Sequence, residues 1–191
     1  MNNLAHYVRV YDNVFDEDFC KGMINTFDSL TPVKTPHMRH SEFRWEQDYR
    51  SFMEIDICHE KAFTDFIDPY YNRVKEVYTH YKSVVDSPFF PNKYAFEDGR
   101  MKKYEANDYD QFGWHIDVGD KKSSERYLVM FAYLNDVDEG GETLFKSDID
   151  FKVQPKQGRM VVFPPMWMFP HKGEKPISGS KYILSTYLHY V

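Results

Sequence analysis

Cysteine is nearly absent: Cys20 and Cys58 are the only two in 191 residues. Two thiols so far apart in sequence build neither a disulfide framework nor a thiolate zinc site, and free thiols suit a reducing compartment. A basic excess is also missing, since 24 Lys and Arg face 30 Asp and Glu for a formal charge of −6. A nucleic-acid footprint needs a basic face to replace phosphate counterions, so no nucleic-acid partner is expected. No apolar run reaches the roughly 20 residues of a membrane-crossing helix. The opening Met1-Asn2-Asn3-Leu4-Ala5-His6 has no basic region leading into an apolar one. These absences predict a cytoplasmic protein that engages no membrane, and leave its oligomeric state open. No internal repeat, low-complexity tract or linker divides the sequence, so one domain over residues 1–191 is expected.

Aromatic residues are plentiful, with 16 Phe, 15 Tyr and 3 Trp making up 18% of the chain. That favours strands and an aromatic-walled pocket over a plain helical bundle. Tyr7 to Tyr11 reads as a first short strand. Asp16 stands where an N-cap belongs, before a helix whose Phe19, Cys20, Met23, Ile24, Phe27 and Leu30 share a face and which Thr31-Pro32 ends. Ser51 to Ile57 alternates as a strand. A second helix is expected over about 60–85, on Phe63, Phe66, Ile67, Tyr70, Val74, Val77, Tyr78 and Tyr81, with Pro69 kinking or restarting it.

Between them, residues 32–50 form a polar, basic stretch that includes Trp45 and Arg50. A loop that long in a compact domain is usually functional or disordered, which makes it a candidate lid. Its His37 and His40 read most simply as solvated side chains.

From residue 93 onward the pattern changes to strands parted by turns, as in a sandwich or barrel. Expected strands are Arg100–Tyr104, Phe112–Val118, Arg126–Asn135, Glu142–Lys146, Phe151–Val153, Arg159–Phe163 and Lys181–Tyr190. The run from 126 to 135 is almost continuously apolar, as in a strand buried on both faces.

Within Phe112-Gly113-Trp114-His115-Ile116-Asp117, a period of two sends His115 and Asp117 to one face and Trp114 to the other. With His171 as a third ligand, two imidazoles and a carboxylate suit a non-haem ferrous site with open positions, although zinc accepts the same donors. Lys181 enters the apolar strand Tyr182-Ile183-Leu184, where burial is costly without an anionic partner. A carboxylate ligand would satisfy it.

These segments, together with Glu139-Gly140-Gly141-Glu142-Thr143 and Gly158-Arg159-Met160-Val161-Val162-Phe163-Pro164, resemble the iron(II) and 2-oxoglutarate dependent dioxygenases, in particular the prolyl 4-hydroxylase-like group. The resemblance is strongest from about residue 100. It implies a mainly β fold with packing helices (α+β), a double-stranded β-helix or jelly roll, with the N-terminal helices on the outer face of one sheet. On that pattern residues 1–92 give helical support and the candidate lid, and 93–191 most of the β-helix core.

The same resemblance implies that His115, Asp117 and His171 bind Fe(II), and that Lys181 pairs with the distal carboxylate of 2-oxoglutarate, helped by Tyr104 and Thr143. With O2, the implied reaction couples decarboxylation of 2-oxoglutarate to succinate with hydroxylation of a C–H bond, and ascorbate is a candidate reductant. Peptide-binding members have tyrosine and tryptophan where this chain has Phe112 and Tyr187, while Arg126 matches a substrate-facing arginine. Peptidyl proline is thus one implied substrate, with a small molecule or free amino acid as the alternative. Trp45, Arg50, Tyr109, Trp114 and Trp167 are further candidates for substrate contact, since aromatic and arginine side chains anchor recognition surfaces. A catalytically silent binding module and a zinc hydrolase on a similar barrel are the competing readings; the complete ligand set argues against the first.

Overall fold

Residues 4–34, 50–146 and 151–191 are described in the computed structural model of this chain. The elements in order are β1 (Arg9–Tyr11), α1 (Glu17–Ser29), β2 (Val33–Lys34), β3 (Arg50–Ser51), β4 (Met53–Asp56), α2 (Thr64–Val85) and β5 (Tyr94–Phe96). There follow β6 (Arg100–Tyr104), β7 (Gln111–His115), β8 (Arg126–Tyr133), β9 (Thr143–Phe145) and β10 (Lys152–Val153), then β11 (Met160–Phe163), β12 (His171–Gly173) and β13 (Lys181–Tyr190). The larger sheet runs β1-β11-β8-β13-β6-β4-β2, with β5 also on β13; the smaller runs β10-β9-β12-β7-β3. Adjacent strands pair antiparallel throughout, and the fold is a double-stranded β-helix.

Alternation along β8 and β13 places the site. Leu128, Met130 and Ala132 pack with Tyr182, Leu184, Leu188 and the buried faces of both helices. Val129, Phe131 and Tyr133 turn the other way, against Phe145, Phe163 and Phe169 in the space between the sheets. The helices therefore cover the outer face of the larger sheet and leave its inner face for a pocket. Asp16 caps α1 by accepting from the Phe19 N–H at 2.8 Å.

Three expectations need correction. α2 runs unbroken through Pro69. A helical proline costs about 3 kcal/mol, but Tyr70, Val74, Val77, Tyr78 and Tyr81 are all buried on this helix, each worth about 1.5–3 kcal/mol. Packing outweighs the lost bond. The chain around 51–57 is two strands, not one: β3 belongs to the smaller sheet and β4 to the larger, with the crossing at Phe52. Residues 4–7 form a 3₁₀ turn, so the first strand starts only at Arg9. Of the candidate lid, 35–49 lies outside the described residues. Among the described residues, no helix is long and apolar enough to cross a membrane.

Candidate active site

β7 ends at His115, short of the strand expected through Val118. Asp117 still meets His115 because its own N–H and that of Val118 both donate to Pro165 O, at 3.2 and 3.1 Å. β12 lies between β7 and β9 and brings His171 directly opposite His115 in the register. The result is a cluster in which His115 Nε2 is 3.6 Å from Asp117 Oδ1 and His171 Nε2 is 3.5 Å from Asp117 Oδ2. One ligand atom from each of the three residues lies within 4.8 Å of the others, so the group can hold a metal ion.

The hydrogen bonds behind the cluster fix its chemistry. Nδ1 of His115 faces Gly113 O at 2.7 Å, and Nδ1 of His171 faces Phe169 O at 3.0 Å. A carbonyl only accepts, so both protons sit on Nδ1 and both Nε2 lone pairs face Asp117, as a metal-binding histidine requires. Burial, then neighbouring His115, brings His171 down to about 4, leaving it neutral near pH 7. Asp117 is buried, which opposes ionisation, yet its carboxyl is held below the usual range, and the Tyr187 hydroxyl that donates to it favours the anion. Its Oδ1 accepts from Tyr187 Oη at 2.9 Å, and its Oδ2 is buried with no hydrogen-bond partner. A buried unpartnered carboxylate oxygen is expensive, and a cation is the partner it lacks.

Lys181 is 2% exposed at the other end of the pocket, not at an open strand end. Its ammonium donates to Gly141 O and Glu174 O at 2.9 and 3.0 Å and lies 4.6 Å from the centre of the Tyr104 ring, its register partner on β6. Burial lowers it to about 7, against the opposing pull of Glu174 and Glu142. Gly141 sits at φ +75°, and a Cβ there would stand 3.3 Å from Lys181 Cδ, so the glycine lets the turn close over the lysine stem. Thr143 also faces the pocket, its Oγ1 2.6 Å from Tyr133 Oη.

Residues 100–189 match the model of the 2OG-Fe(II) oxygenase superfamily. The matched segment carries His115, Asp117, His171 and Lys181. A 2OG-Fe(II) oxygenase draws on Fe(II), 2-oxoglutarate and O2, and His115, Asp117 and His171 can bind its metal. Among solved structures, a viral collagen prolyl hydroxylase from Paramecium bursaria Chlorella virus-1, in its 2OG complex, is 21% identical, with a TM-score of 0.72 over 97% of both chains. A Trichoplax adhaerens prolyl hydroxylase, in complex with a peptide fragment of the hypoxia inducible factor oxygen degradation domain, is 13% identical. Its TM-score is 0.72 over 96% of this chain and 84% of that one. A Pseudomonas putida prolyl-4-hydroxylase is 15% identical, with a TM-score of 0.64 over 97% of this chain and 94% of that one. At such identities the likeness is one of fold, and the fold is prolyl 4-hydroxylase-like. No curated protein matches the sequence.

The residues expected at the substrate wall separate into two groups. Phe112 lines the pocket and stacks on His115, ring centres 3.5 Å apart and planes 6° apart. Tyr187 lines it as well, bound to Asp117. Arg126 is forked onto Glu97 at 2.5 and 2.7 Å and stacks 3.9 Å from the Tyr187 ring, so it braces Tyr187 from behind. Arg50 lies opposite Phe112 in the β3–β7 register, its Nε buried without a partner. The others stand apart from the pocket: Trp114 has the Lys146 and Lys172 ammoniums 5.5 and 5.4 Å from its ring, while Tyr109 and Trp167 are 63% and 74% exposed. Trp45 lies outside the described residues. Sequence reasoning missed Glu97, Tyr133, Ser185 and Lys102. For the last the signal was present, because Lys102 is two positions from Tyr104 on β6 and so shares its face.

Proposed function

We propose that this chain is an Fe(II)- and 2-oxoglutarate-dependent hydroxylase, its residues acting as one domain on a C–H bond of a peptide or small molecule, with peptidyl proline the leading substrate class. The observation that carries this reading is the meeting, in one pocket, of two Nε2 lone pairs, an unpartnered carboxylate oxygen and a buried lysine. Prolyl hydroxylase structures as fold relatives support the substrate class. The intact ligand set disfavours a silent module.

When bound, Fe(II) with 2-oxoglutarate and O2 supplies the oxidising power that yields succinate, carbon dioxide and a hydroxylated product. The protein's part is placement and exclusion of water. His115, Asp117 and His171 would hold the metal. Lys181 receives the distal carboxylate of 2-oxoglutarate, with Tyr104 and Thr143 beside it. Val129, Phe131 and Ile183 line the pocket with hydrocarbon and keep it dry. Tyr187 fixes the rotation of Asp117 by occupying Oδ1, which leaves Oδ2 for the metal.

Anaerobic binding measurements separate these roles. Asp117→Ala should lose Fe(II) binding, and Lys181→Met should keep Fe(II) while binding 2-oxoglutarate at least about 30-fold more weakly, the loss expected on removing one member of a buried charge pair. Equal 2-oxoglutarate affinity in Lys181→Met would refute the anchor.

A further inference from the structure

Besides Lys181, a second lysine faces this pocket, and the reaction described above has no use for it. Lys102 lies on β6, opposite Ile183 of β13 on one side and Glu54 of β4 on the other. Its side chain is 12% exposed. The ammonium lies 5.1 Å from the centre of the Phe52 ring and 5.9 Å from that of Phe112, the ring stacked on the metal-facing His115. Its nearest anion, Glu54 Oε2, is 3.7 Å away, beyond hydrogen-bond length, and no group among the described residues accepts a hydrogen bond from it. A largely buried ammonium with no acceptor within hydrogen-bond length is placed to take an anionic partner. Burial lowers its proton affinity, against the pull of Glu54 and Asp117.

The charges around it show what is missing. On the proposed reading, Fe(II) and Lys181 together balance Asp117 and the 2-oxoglutarate dianion. Of the other charges acting on Lys102, Glu54 and Asp117 attract it while Arg100 and Arg50 repel it. Lys102 thus has one distant ion-pair partner, Glu54 at 3.7 Å, and, among the described residues, no anion within hydrogen-bond length beside the aromatic wall.

We propose that Lys102 receives a carboxylate of the primary substrate, so that the molecule hydroxylated carries an acid group close to the reacting carbon. This rests on the hydroxylase reading and sharpens its substrate class. The carboxylate comes either from a free amino acid or from an acidic residue beside the target in a peptide.

Two probe pairs distinguish these sources: L-proline against L-prolinamide, and acetyl-Gly-Glu-Pro-Gly-amide against its Gln counterpart. Each is titrated by calorimetry into protein saturated with Zn(II) and 2-oxoglutarate. In one pair the acid should bind at least tenfold more tightly than its neutral partner, and that pair identifies the source. Lys102→Met should abolish the preference and Lys102→Arg should retain it, with a thermal melt establishing that both variants fold. Equal binding within both pairs, no binding by any probe, or a preference that survives in Lys102→Met would overturn the proposal. So would a tenfold loss of 2-oxoglutarate affinity in Lys102→Met, which would make this lysine a cosubstrate ligand. Failure of the wild type to form succinate with Fe(II), with the acid preference intact, would instead remove the hydroxylase reading alone and leave the carboxylate site in place.

Discussion

A lysine ammonium that is 2% exposed and meets only two carbonyl oxygens has exchanged water for dipoles, and its proton is held loosely. With its value near 7, Lys181 is mostly neutral at pH 8 in the free protein and mostly charged at pH 6. A bound dianion favours the charged form. Binding of 2-oxoglutarate at pH 8 should therefore take up close to one proton, and at pH 6 almost none, so affinity falls as pH rises above 7. Calorimetry in two buffers of different ionisation enthalpy reads this directly; identical heats at pH 8 would contradict it. Tyr187 makes a different contribution. Burial and the neighbouring Asp117 keep its hydroxyl protonated, so it donates at 2.9 Å to the carboxylate. Tyr187→Phe should weaken metal binding about 10- to 100-fold, the usual effect of losing a hydrogen bond that orients a ligand. A competition titration with a chelator tests it, and unchanged affinity would mean that Asp117 is held by the Pro165 contacts alone.

Among elements, the turn that leads into β11 shows how a loop supports the inner sheet face. Gly158 sits at φ +70° with its N–H on Tyr133 O, and a Cβ added there would stand 2.2 Å from Phe15 O. Gly158→Ala should cost at least about 1–3 kcal/mol from backbone strain, measurable by denaturant unfolding. A loss below about 0.5 kcal/mol, the ordinary size for a surface change, would show that the loop relaxes freely.

Elements were legible in sequence where local signals and burial agreed. The Asp16 cap, the stripe of α2 and the two-sided apolar run of β8 all have that character. β5 and β12 were not legible, because three residues such as His171-Lys172-Gly173 carry no periodicity; β12 is a strand only because β7 and β9 flank it. β7 stops early because the Pro165 carbonyl draws Asp117 and Val118 out of the ladder. Lys102 escaped notice because a lysine on a strand usually points to water, and its burial depends on Phe52 and Glu54 returning from about fifty residues earlier.

At the scale of the molecule, the helices seal one sheet so that its other face can carry polar groups in a dry space. The metal donors come from the smaller sheet and its following turn, and the lysines from the larger one. Neither sheet alone contains the site. Its assembly is why spacing alone put only His115 and Asp117 on one face, left His171 and Lys181 as candidates whose roles came through the resemblance, and left the metal open between iron and zinc. The most direct test is succinate formation by protein reconstituted anaerobically with Fe(II) and then given 2-oxoglutarate and O2. The account predicts one bound Fe(II) per chain and sustained succinate release, both lost in Asp117→Ala. One tightly held zinc with no succinate would contradict it.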